Sequence, residues 1–224
     1  MATLLFVSFA PALALLAFIY MRDVYEPEPR ALVMRFYIAG ALLVVPVALA
    51  QIALGEVLSR DIVVQSFVAT GLTEELAKFL LCRVFVFGHF QFNEHMDGIV
   101  YCSAVSLGFA SMENLFYVAS GGLSAGIVRA LLPVPGHALF GVLMGYYMGK
   151  AKFGEAMVST NNMVKALFVP AIFHGIFNYL LMVRPAIAAM VVPLMICLWI
   201  YCARRVRLAL EDSPFRTSGT GMGA

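Results

Sequence analysis

IVVQSFVATGLTEELAKFLLCRVFVF, residues 62–87, contains the feature that decides the fold: a long apolar run with ionisable side chains inside it. A transmembrane helix needs about 20 consecutive, mostly apolar residues, and this run is long enough to supply them. Glu74, Glu75 and Lys78 lie near its centre. Ionisable groups at membrane depth are costly and usually serve a function. The run therefore indicates a membrane helix that carries chemistry.

The composition of the whole chain agrees with a membrane protein. Of its 224 residues, 62% are hydrophobic and only 12% are charged, and the mean hydropathy is +0.90. An ordinary soluble domain is about half apolar and about a quarter charged, so a soluble protein of this composition would lack the polar residues needed to cover its surface. The lipid bilayer is the expected partner, and the net charge of +2 is too small to indicate nucleic acid.

Apolar segments separated by short polar stretches predict an all-α polytopic membrane bundle of about seven transmembrane helices. The segments cover roughly residues 2–20, 36–54, 62–87, 98–119, 126–148, 164–182 and 186–202. One membrane domain is predicted over residues 1–208. A cytoplasmic tail over residues 209–224, which ends in Ser, Gly and Thr, is predicted to be disordered.

Basic residues predict the orientation of the bundle. Cytoplasmic loops carry an excess of Lys and Arg, and seven spans place the two termini on opposite sides of the membrane. Most of the Lys and Arg residues fall on the same side as the C-terminus, whereas Arg60, Arg129 and Arg184 fall on the other side. The N-terminus is therefore predicted outside and the C-terminus in the cytoplasm.

The spacing within the third segment suggests acid–base chemistry. Glu74 and Glu75 precede Lys78 by four and three residues, so in a helix both carboxylates can reach its ammonium. Two adjacent carboxylates in a low-dielectric interior cannot both ionise cheaply, and such a pair suits a general acid or base. The alternative is a buried Glu–Lys pair that only fixes helix packing. Because adjacent helical positions point in different directions, we expect one Glu to face water and the other to pair with Lys78.

Other polar residues fall inside or at the start of the later segments. They are Asp97, Glu113, Asn114 and Tyr117 around the fourth segment, His137 in the fifth, and His174 and Asn178 in the sixth. Asp97 also fits a helix N-cap, and a lone buried histidine is often a packing residue. The glutamate pair and both histidines lie roughly 10–20 Å from a membrane edge, however. Their similar depth predicts a common site.

Spaced sequence blocks resemble the motifs of the PrsW family of intramembrane proteases. The blocks are EPEP at 26–29, GLTEELAKF at 71–79 (an EExxK motif), DGIVY at 97–101, GFASMENLFY at 108–117, GHA at 136–138 and FHGIFN at 173–178. The resemblance covers about residues 15–182 in the same order. The more distant CAAX-prenyl-protease-like membrane proteins carry EExxxR. This chain instead has Lys78 four residues after Glu74, which gives the EExxK motif.

The resemblance implies a protease of the bacterial cell membrane. PrsW proteins perform site-1 cleavage of a single-span, membrane-anchored anti-sigma factor, which starts the release of a sigma factor in a stress response. Carried over to this chain, the motifs imply that Glu74, Glu75, His137 and His174 are catalytic or metal-binding. The same motifs place Lys78, Glu113, Asn114, Tyr117, Asn178 and Asp97 in supporting positions.

Two mechanisms remain open at this point. In the first, which we slightly favour, one of the two adjacent glutamates is the general base on a water, and a histidine or Asn178 stabilises the oxyanion. In the second, a zinc ion is bound by His137, His174 and a carboxylate, which is either Glu113 or one of the glutamate pair. The remaining glutamate would then be the base. The chain has no HExxH motif, so a metal site would require three helices to converge.

Two other function classes are alternatives to the protease. Intramembrane Glu, Lys and His residues also suit a proton- or ion-coupled transporter or channel, but no inverted repeat supports that hypothesis. A third hypothesis is a non-enzymatic scaffold. Gly141, Gly145 and Gly149 repeat every four residues, which lets another helix approach closely. Packing inside the bundle is the preferred interpretation of this row, and a homodimer is also permitted.

Overall fold

A computed structural model describes residues 2–216, and within that range all regular secondary structure is helical. The predicted all-α class is therefore confirmed. Judged by length and composition, four helical segments can cross a membrane: Thr3–Tyr20, Arg30–Val57, His95–Lys152 and Ala156–Val183. The protein is thus a helical membrane protein.

Eight helices follow one another among the described residues. They are α1 (Ala2–Tyr20), α2 (Arg30–Val57), α3 (consecutive segments Ile62–Val64, Gln65–Leu72, Thr73–Leu81 and Cys82–Val86), α4 (His95–Leu131), α5 (Pro133–Lys152), α6 (Ala156–Val183), α7 (Pro185–Ala188) and α8 (Val191–Glu211). The apolar runs form helices because lipid offers the backbone no hydrogen-bond partner. The predicted tail, 209–224, begins inside α8, and its residues 217–224 lie outside the described range.

Helices α4 and α5 form the centre of the bundle. The first half of α4 and nearly all of α5 are buried, and the two helices pack against each other along their length. The surrounding helices α1, α2 and α6 expose large apolar side chains, among them Phe6, Leu42 and Phe168. Such a surface would be unfavourable in water and suits contact with lipid chains.

The glycine row lies at the contact between α4 and α5. A Cβ atom at Gly145 would lie only 2.1 Å from the carbonyl oxygen of Gly98, and Gly141 and Gly149 also face α4 backbone. The row therefore lets two helices of the same chain pack closely, as small residues do in membrane bundles. It is not free to contact a second chain, so a homodimer would need another surface.

A turn at Gly122 divides α4 and corrects the predicted start of the fifth segment. Gly122 has φ +75°, a left-handed conformation that glycine adopts readily. After this turn the chain folds back, so that Gly126 lies against Val118. Residues 126–131, predicted to begin the fifth span, belong to this returning part of α4. Helix α5 begins at Pro133, where proline is favoured in the first helical turn.

Helix α3 is less regular than its sequence predicts. Two of its segments, Gln65–Leu72 and Cys82–Val86, are π-helical, and they flank the regular helix Thr73–Leu81. A π-helical turn changes the direction in which the following side chains point, and such turns are frequent at functional sites. The regular helix between them carries both glutamates and Lys78.

Candidate active site

Two glycines bring α3 and α6 together beside the candidate site. A Cβ atom at Gly71 would lie 3.0 Å from the backbone nitrogen of Gly175, and one at Gly175 would clash with the ring of Phe67. This crossing lies three residues before Glu74 on α3 and next to His174 on α6. The two helices can therefore bring the glutamate pair and His174 into contact.

Lys78 lies at the centre of the cluster and is fully buried. Its Nζ donates to Glu75 Oε1 at 2.7 Å and to His137 Nδ1 at 3.0 Å. Glu74 Oε2 is more distant, at 3.6 Å from Nζ. Lys78 also lies over the ring of Phe109, 4.3 Å from its centroid. Glu75 is thus the main ion-pair partner of Lys78, and Glu74 is held more loosely.

His174 is oriented by a carboxylate and an aromatic ring. Its Nδ1 is 2.9 Å from Glu75 Oε1, and its ring stacks on Phe140 with centroids 4.9 Å apart. Because an ionised carboxylate only accepts hydrogen bonds, the proton of neutral His174 lies on Nδ1, which leaves a free lone pair on Nε2. This Nε2 lies 3.9 Å from Glu74 Oε2. His174 therefore presents an unprotonated nitrogen towards Glu74.

The two histidines meet as their predicted depths indicate. The ring centroids of His137 and His174 are 5.1 Å apart, and the rings are nearly perpendicular. His137 Nε2 is 3.0 Å from Glu113 Oε2. Since Lys78 can only donate to Nδ1, the proton of neutral His137 lies on Nε2 and is donated to Glu113. The Ser106 hydroxyl donates to the backbone carbonyl of His137 at 2.6 Å, which further fixes α5 against α4.

Two residues of the site were not predicted from the sequence. Arg129, expected on the outer side of the membrane, lies 2.7 Å from Glu113 Oε2 and 3.9 Å from the centroid of the Tyr117 ring. Gln51 of α2 donates to Glu74 Oε1 at 3.2 Å. The only sequence signals were a glycine pair before Arg129 and one amide within an apolar segment, and neither specifies a partner.

Three of the predicted supporting residues form no hydrogen bond or ion pair with the cluster. Asn114 faces α1 and donates to the carbonyl of Val7 at 3.2 Å. Asn178 lies one turn after His174 on α6, and its Nδ2 makes no hydrogen bond. Asp97 lies roughly 24 Å along α4 from Glu113, given a rise of about 1.5 Å per residue.

Asp97 also differs from the expected N-cap. Glu94 occupies the N-cap position of α4, and Asp97 is the third helical residue. Its Oδ2 accepts hydrogen bonds from the backbone nitrogens of Asn93 and Glu94 at 2.6 and 2.7 Å. The carboxylate thus satisfies free N–H groups at the start of the helix, but from within the first turn.

The donor atoms of the cluster fit a metal ion. One atom each from Glu74, His137 and His174 lie within 4.8 Å of one another. Glu74 Oε2 is buried and accepts no hydrogen bond. Glu75 holds the far nitrogen of His174, which is how a second carboxylate usually orients a metal-binding histidine. Two imidazoles and one carboxylate are a common ligand set for catalytic zinc.

The geometry changes the predicted ligand set. Glu113 contacts His137 from the side opposite Lys78 and therefore orients that ring, whereas Glu74 supplies the carboxylate of the converging group. Both nitrogens of His137 are engaged, so binding a metal through this residue requires its contact with Lys78 or with Glu113 to open.

A separate cavity of ≈ 650 Å³ does not belong to this site. It lies between α1 and α8, and its walls include Phe18, Trp199, Arg204 and Arg207. None of the glutamates or histidines of the cluster lines it. The candidate site is therefore the side-chain cluster and not this cavity.

Comparisons with known proteins identify the family of the chain. The model of a family described as PrsW family intramembrane metalloprotease matches residues 28–202. A Protease PrsW from Oceanobacillus iheyensis is 39% identical over 214 residues, which cover 95% of this chain and 99% of the relative. The Protease PrsW of Bacillus subtilis is 38% identical over 201 residues, 89% of this chain and 92% of the relative. No solved structure matches the chain.

A third relative, with a lower sequence identity, also matches most of the chain. The Protease PrsW of Clostridioides difficile is 34% identical over 200 residues, 84% of each chain. These matches favour the protease over the transport and scaffold hypotheses. They also run through the segments that deliver Glu74, His137 and His174 to one place. The chain therefore belongs to the PrsW family of intramembrane metalloproteases and is a membrane-embedded peptidase.

Proposed function

We propose that the protein is a site-1 protease of the bacterial cell membrane, and that its substrate is a single-span, membrane-anchored anti-sigma factor. Cleavage would start the release of a sigma factor in a stress response. The observation that carries the catalytic part is the convergence of Glu74, Glu75, Lys78, His137 and His174, all of which are buried. The substrate follows from the motif resemblance of the chain to PrsW proteins.

The proposed topology has seven spans, with the N-terminus outside and the C-terminus in the cytoplasm. Glu74 lies midway along α3, roughly 18 Å from either end at about 1.5 Å per residue. The side of the cluster formed by Glu113 is its more open side, since 18% of that side chain is exposed against 3% for Glu74. Arg129 and the end of α4 lie there, on the predicted outer side. Water and substrate would therefore enter from outside, as site-1 cleavage requires.

The side chains divide the chemistry of peptide hydrolysis between them. Glu75 Oε1 holds Lys78 and His174, whereas its Oε2 makes no hydrogen bond. Through Oε2, Glu75 would accept a proton from the attacking water and return it to the leaving amine, as a general base and acid. Lys78 stabilises the ionised form of Glu75 through their 2.7 Å contact. Asn178 has a free Nδ2 one turn from His174, and this amide is the donor we assign to the oxyanion, where one preorganised hydrogen bond typically lowers the barrier by about 3–4 kcal/mol.

The histidines and Glu74 would hold the metal that the family description implies. Glu75 and Glu113 orient His174 and His137 from behind. When bound there, zinc supplies Lewis-acid polarisation of the peptide carbonyl and activation of water. Glu74 is assigned to metal binding, rather than proton transfer, because its Oε2 has no hydrogen-bond partner and lies closest to the free nitrogen of His174.

The test is co-expression of the protease with a tagged single-span anti-sigma factor, followed by zinc analysis of the purified protease. We expect wild type to cleave. Glu75→Gln should lose cleavage and keep zinc, whereas Glu74→Gln and His174→Ala should lose both. Glu56→Gln is the matched control, because Glu56 is exposed on α2.

Each outcome bears on a separate part of the proposal. Cleavage by all variants would show that the cluster is structural. Zinc bound equally by wild type and Glu74→Gln would remove Glu74 from the ligand set. If wild type cleaves a single-span model substrate but no anti-sigma factor, the peptidase assignment stands and the proposed substrate is wrong.

A further inference from the structure

A second acidic cluster lies at the opposite end of α4 from the active site. Asp23, in the loop after α1, meets Glu94 and Asp97 at the start of α4, and one carboxylate oxygen of each lies within 4.8 Å of the others. The three residues are 2%, 1% and 0% exposed. Three carboxylates in such close contact and so deeply buried repel one another strongly unless a positive charge or protons neutralise them.

Several oxygens of this cluster have no partner. Both oxygens of Asp23 and Oδ1 of Asp97 are buried and accept no well-formed hydrogen bond, whereas the Glu94 side chain faces the backbone N–H of Asp97 in a capping box. Among the described residues, no Lys, Arg or His forms an ion pair with any of the three. The nearby Lys152 instead donates to the backbone carbonyls of Phe87 and His89. Buried polar atoms are normally satisfied, so the free oxygens indicate a missing ligand.

The cluster is unfavourable when it is fully ionised and empty. Burial, and next the charges of Glu94 and Asp97, raise the pKa of Asp23 to about 8. Burial likewise raises the pKa of the neighbouring Glu28 to about 9. Glu28 accepts hydrogen bonds from the Tyr101 hydroxyl at its carboxylate and from the Tyr20 hydroxyl at its backbone carbonyl. Its loop is therefore held in place beside the cluster, which preorganises it.

We propose that Asp23, Glu94 and Asp97 bind a hard divalent cation, Mg²⁺ or Ca²⁺, which joins the loop between α1 and α2 to the start of α4. The donors are all carboxylate oxygens, the ligands that these two cations prefer. A soft or borderline metal would choose the imidazole-containing site instead. The site is structural: it fixes the first helix pair against α4 and takes no part in peptide hydrolysis.

Binding to the full-length protein in detergent, first stripped with EDTA, tests the proposal. Isothermal titration with MgCl₂ and with CaCl₂ should show one site, and the tighter of the two cations identifies the ligand. At a concentration about 100-fold above Kd, that cation should raise the melting temperature by roughly 5–10 °C. Asp23→Asn and Glu94→Gln should each weaken binding about tenfold or more, because affinity depends on the number of ligand charges.

Two controls separate this site from loss of folding and from the zinc site. In EDTA, Asp23→Asn should melt at or above the temperature of wild type, because it removes a buried carboxyl group that is costly to ionise in the empty site. With the cation present it should melt below wild type. Glu74→Gln and the exposed Glu56→Gln should bind Mg²⁺ or Ca²⁺ as wild type does. The proposal is overturned if neither cation binds wild type, or if both cluster variants bind with unchanged affinity.

Discussion

Lys78 is the residue on which the charge balance of the active site depends. It is fully buried, and it neutralises Glu75 while it also contacts His137. Removing one partner of a buried ion pair leaves the other charge uncompensated, which typically costs about 3–5 kcal/mol. We therefore expect Lys78→Met to lose cleavage and to be destabilised by an amount of this order, measured as a lower melting temperature in detergent.

A double substitution distinguishes this electrostatic role from simple packing. If the cost comes from the unpaired carboxylate, Lys78→Met with Glu75→Gln should recover most of the stability, because neither charge remains. Cleavage should stay absent. Equal destabilisation of the single and double variants would show that the lysine acts through packing of its aliphatic chain.

Arg129 is predicted to act on catalysis through Glu113 and not on folding. It lies 2.7 Å from Glu113, which in turn holds His137 at 3.0 Å. Loss of a residue that orients a metal ligand typically lowers metal affinity or activity about 10–100-fold. We expect Arg129→Gln to lower kcat/KM within this range at an almost unchanged melting temperature.

Arg129→Lys should keep part of the activity, since a lysine retains the charge but not the forked geometry of arginine. The exposed Arg60, on the same predicted side of the membrane, provides the control as Arg60→Gln. Wild-type kinetics in Arg129→Gln would mean that Glu113 holds the histidine unaided.

Among the elements, the contact between α4 and α5 leaves no room for an added methyl group at Gly145. A Cβ at Gly145 would lie 2.1 Å from a backbone oxygen of Gly98, whereas one at Gly55 would meet nothing within 4 Å. Gly145→Ala should therefore force the helices apart and destabilise the protein by roughly 3 kcal/mol or more, at or above the usual range for overpacking.

The same substitution at Gly55 gives the matched control. Gly55 lies in α2, where alanine is favoured over glycine by about 1 kcal/mol, so Gly55→Ala should be neutral or slightly stabilising. Thermal melting of both variants in detergent is the measurement. Similar melting temperatures for the two would show that the bundle tolerates a wider α4–α5 spacing.

The position of a helix could be predicted from apolar patterning where that helix contacts only lipid and its nearest neighbours. Helix α1 has the predicted bounds, 2–20, because its apolar run ends at a charged loop. The predicted fifth segment began too early, at residue 126 rather than at Pro133, because patterning detects apolar runs and not the left-handed turn at Gly122. The π-helical turns of α3 were also missed, since they depend on tertiary packing.

The candidate site was likewise only partly predictable from the sequence. His137, His174 and the glutamate pair were expected to meet because hydropathy gives the depth of each residue, and the structure brings them together. Sequence depth could not choose between Glu74 and Glu113 as the companion of the histidines, because that depends on the rotation of each helix about its axis. The contacts of Arg129 and Gln51 could not be predicted, because each depends on where other helices lie.

At the scale of the whole molecule, the proposed seven spans require α3 to cross the membrane. It is not among the four segments that qualify by length and composition, because it is divided by π-helical turns and carries four charged residues. Yet the active site lies midway along it, and its neighbours α4 and α6 bury that position. Ionisable residues facing the interior of a bundle are tolerated at such depth.

Thiol labelling in intact cells decides this point. Ser59 and Glu155 are exposed in the loops before α3 and after α5. In a background without the native cysteines, we expect an impermeant reagent to label Ser59→Cys from outside and Glu155→Cys only after permeabilisation. If α3 crosses the membrane as α4 and α5 do, three crossings separate the two positions and place them on opposite sides. Labelling of both from the same side would mean that α3 enters and leaves by one face, and that the glutamate pair approaches the substrate from that face.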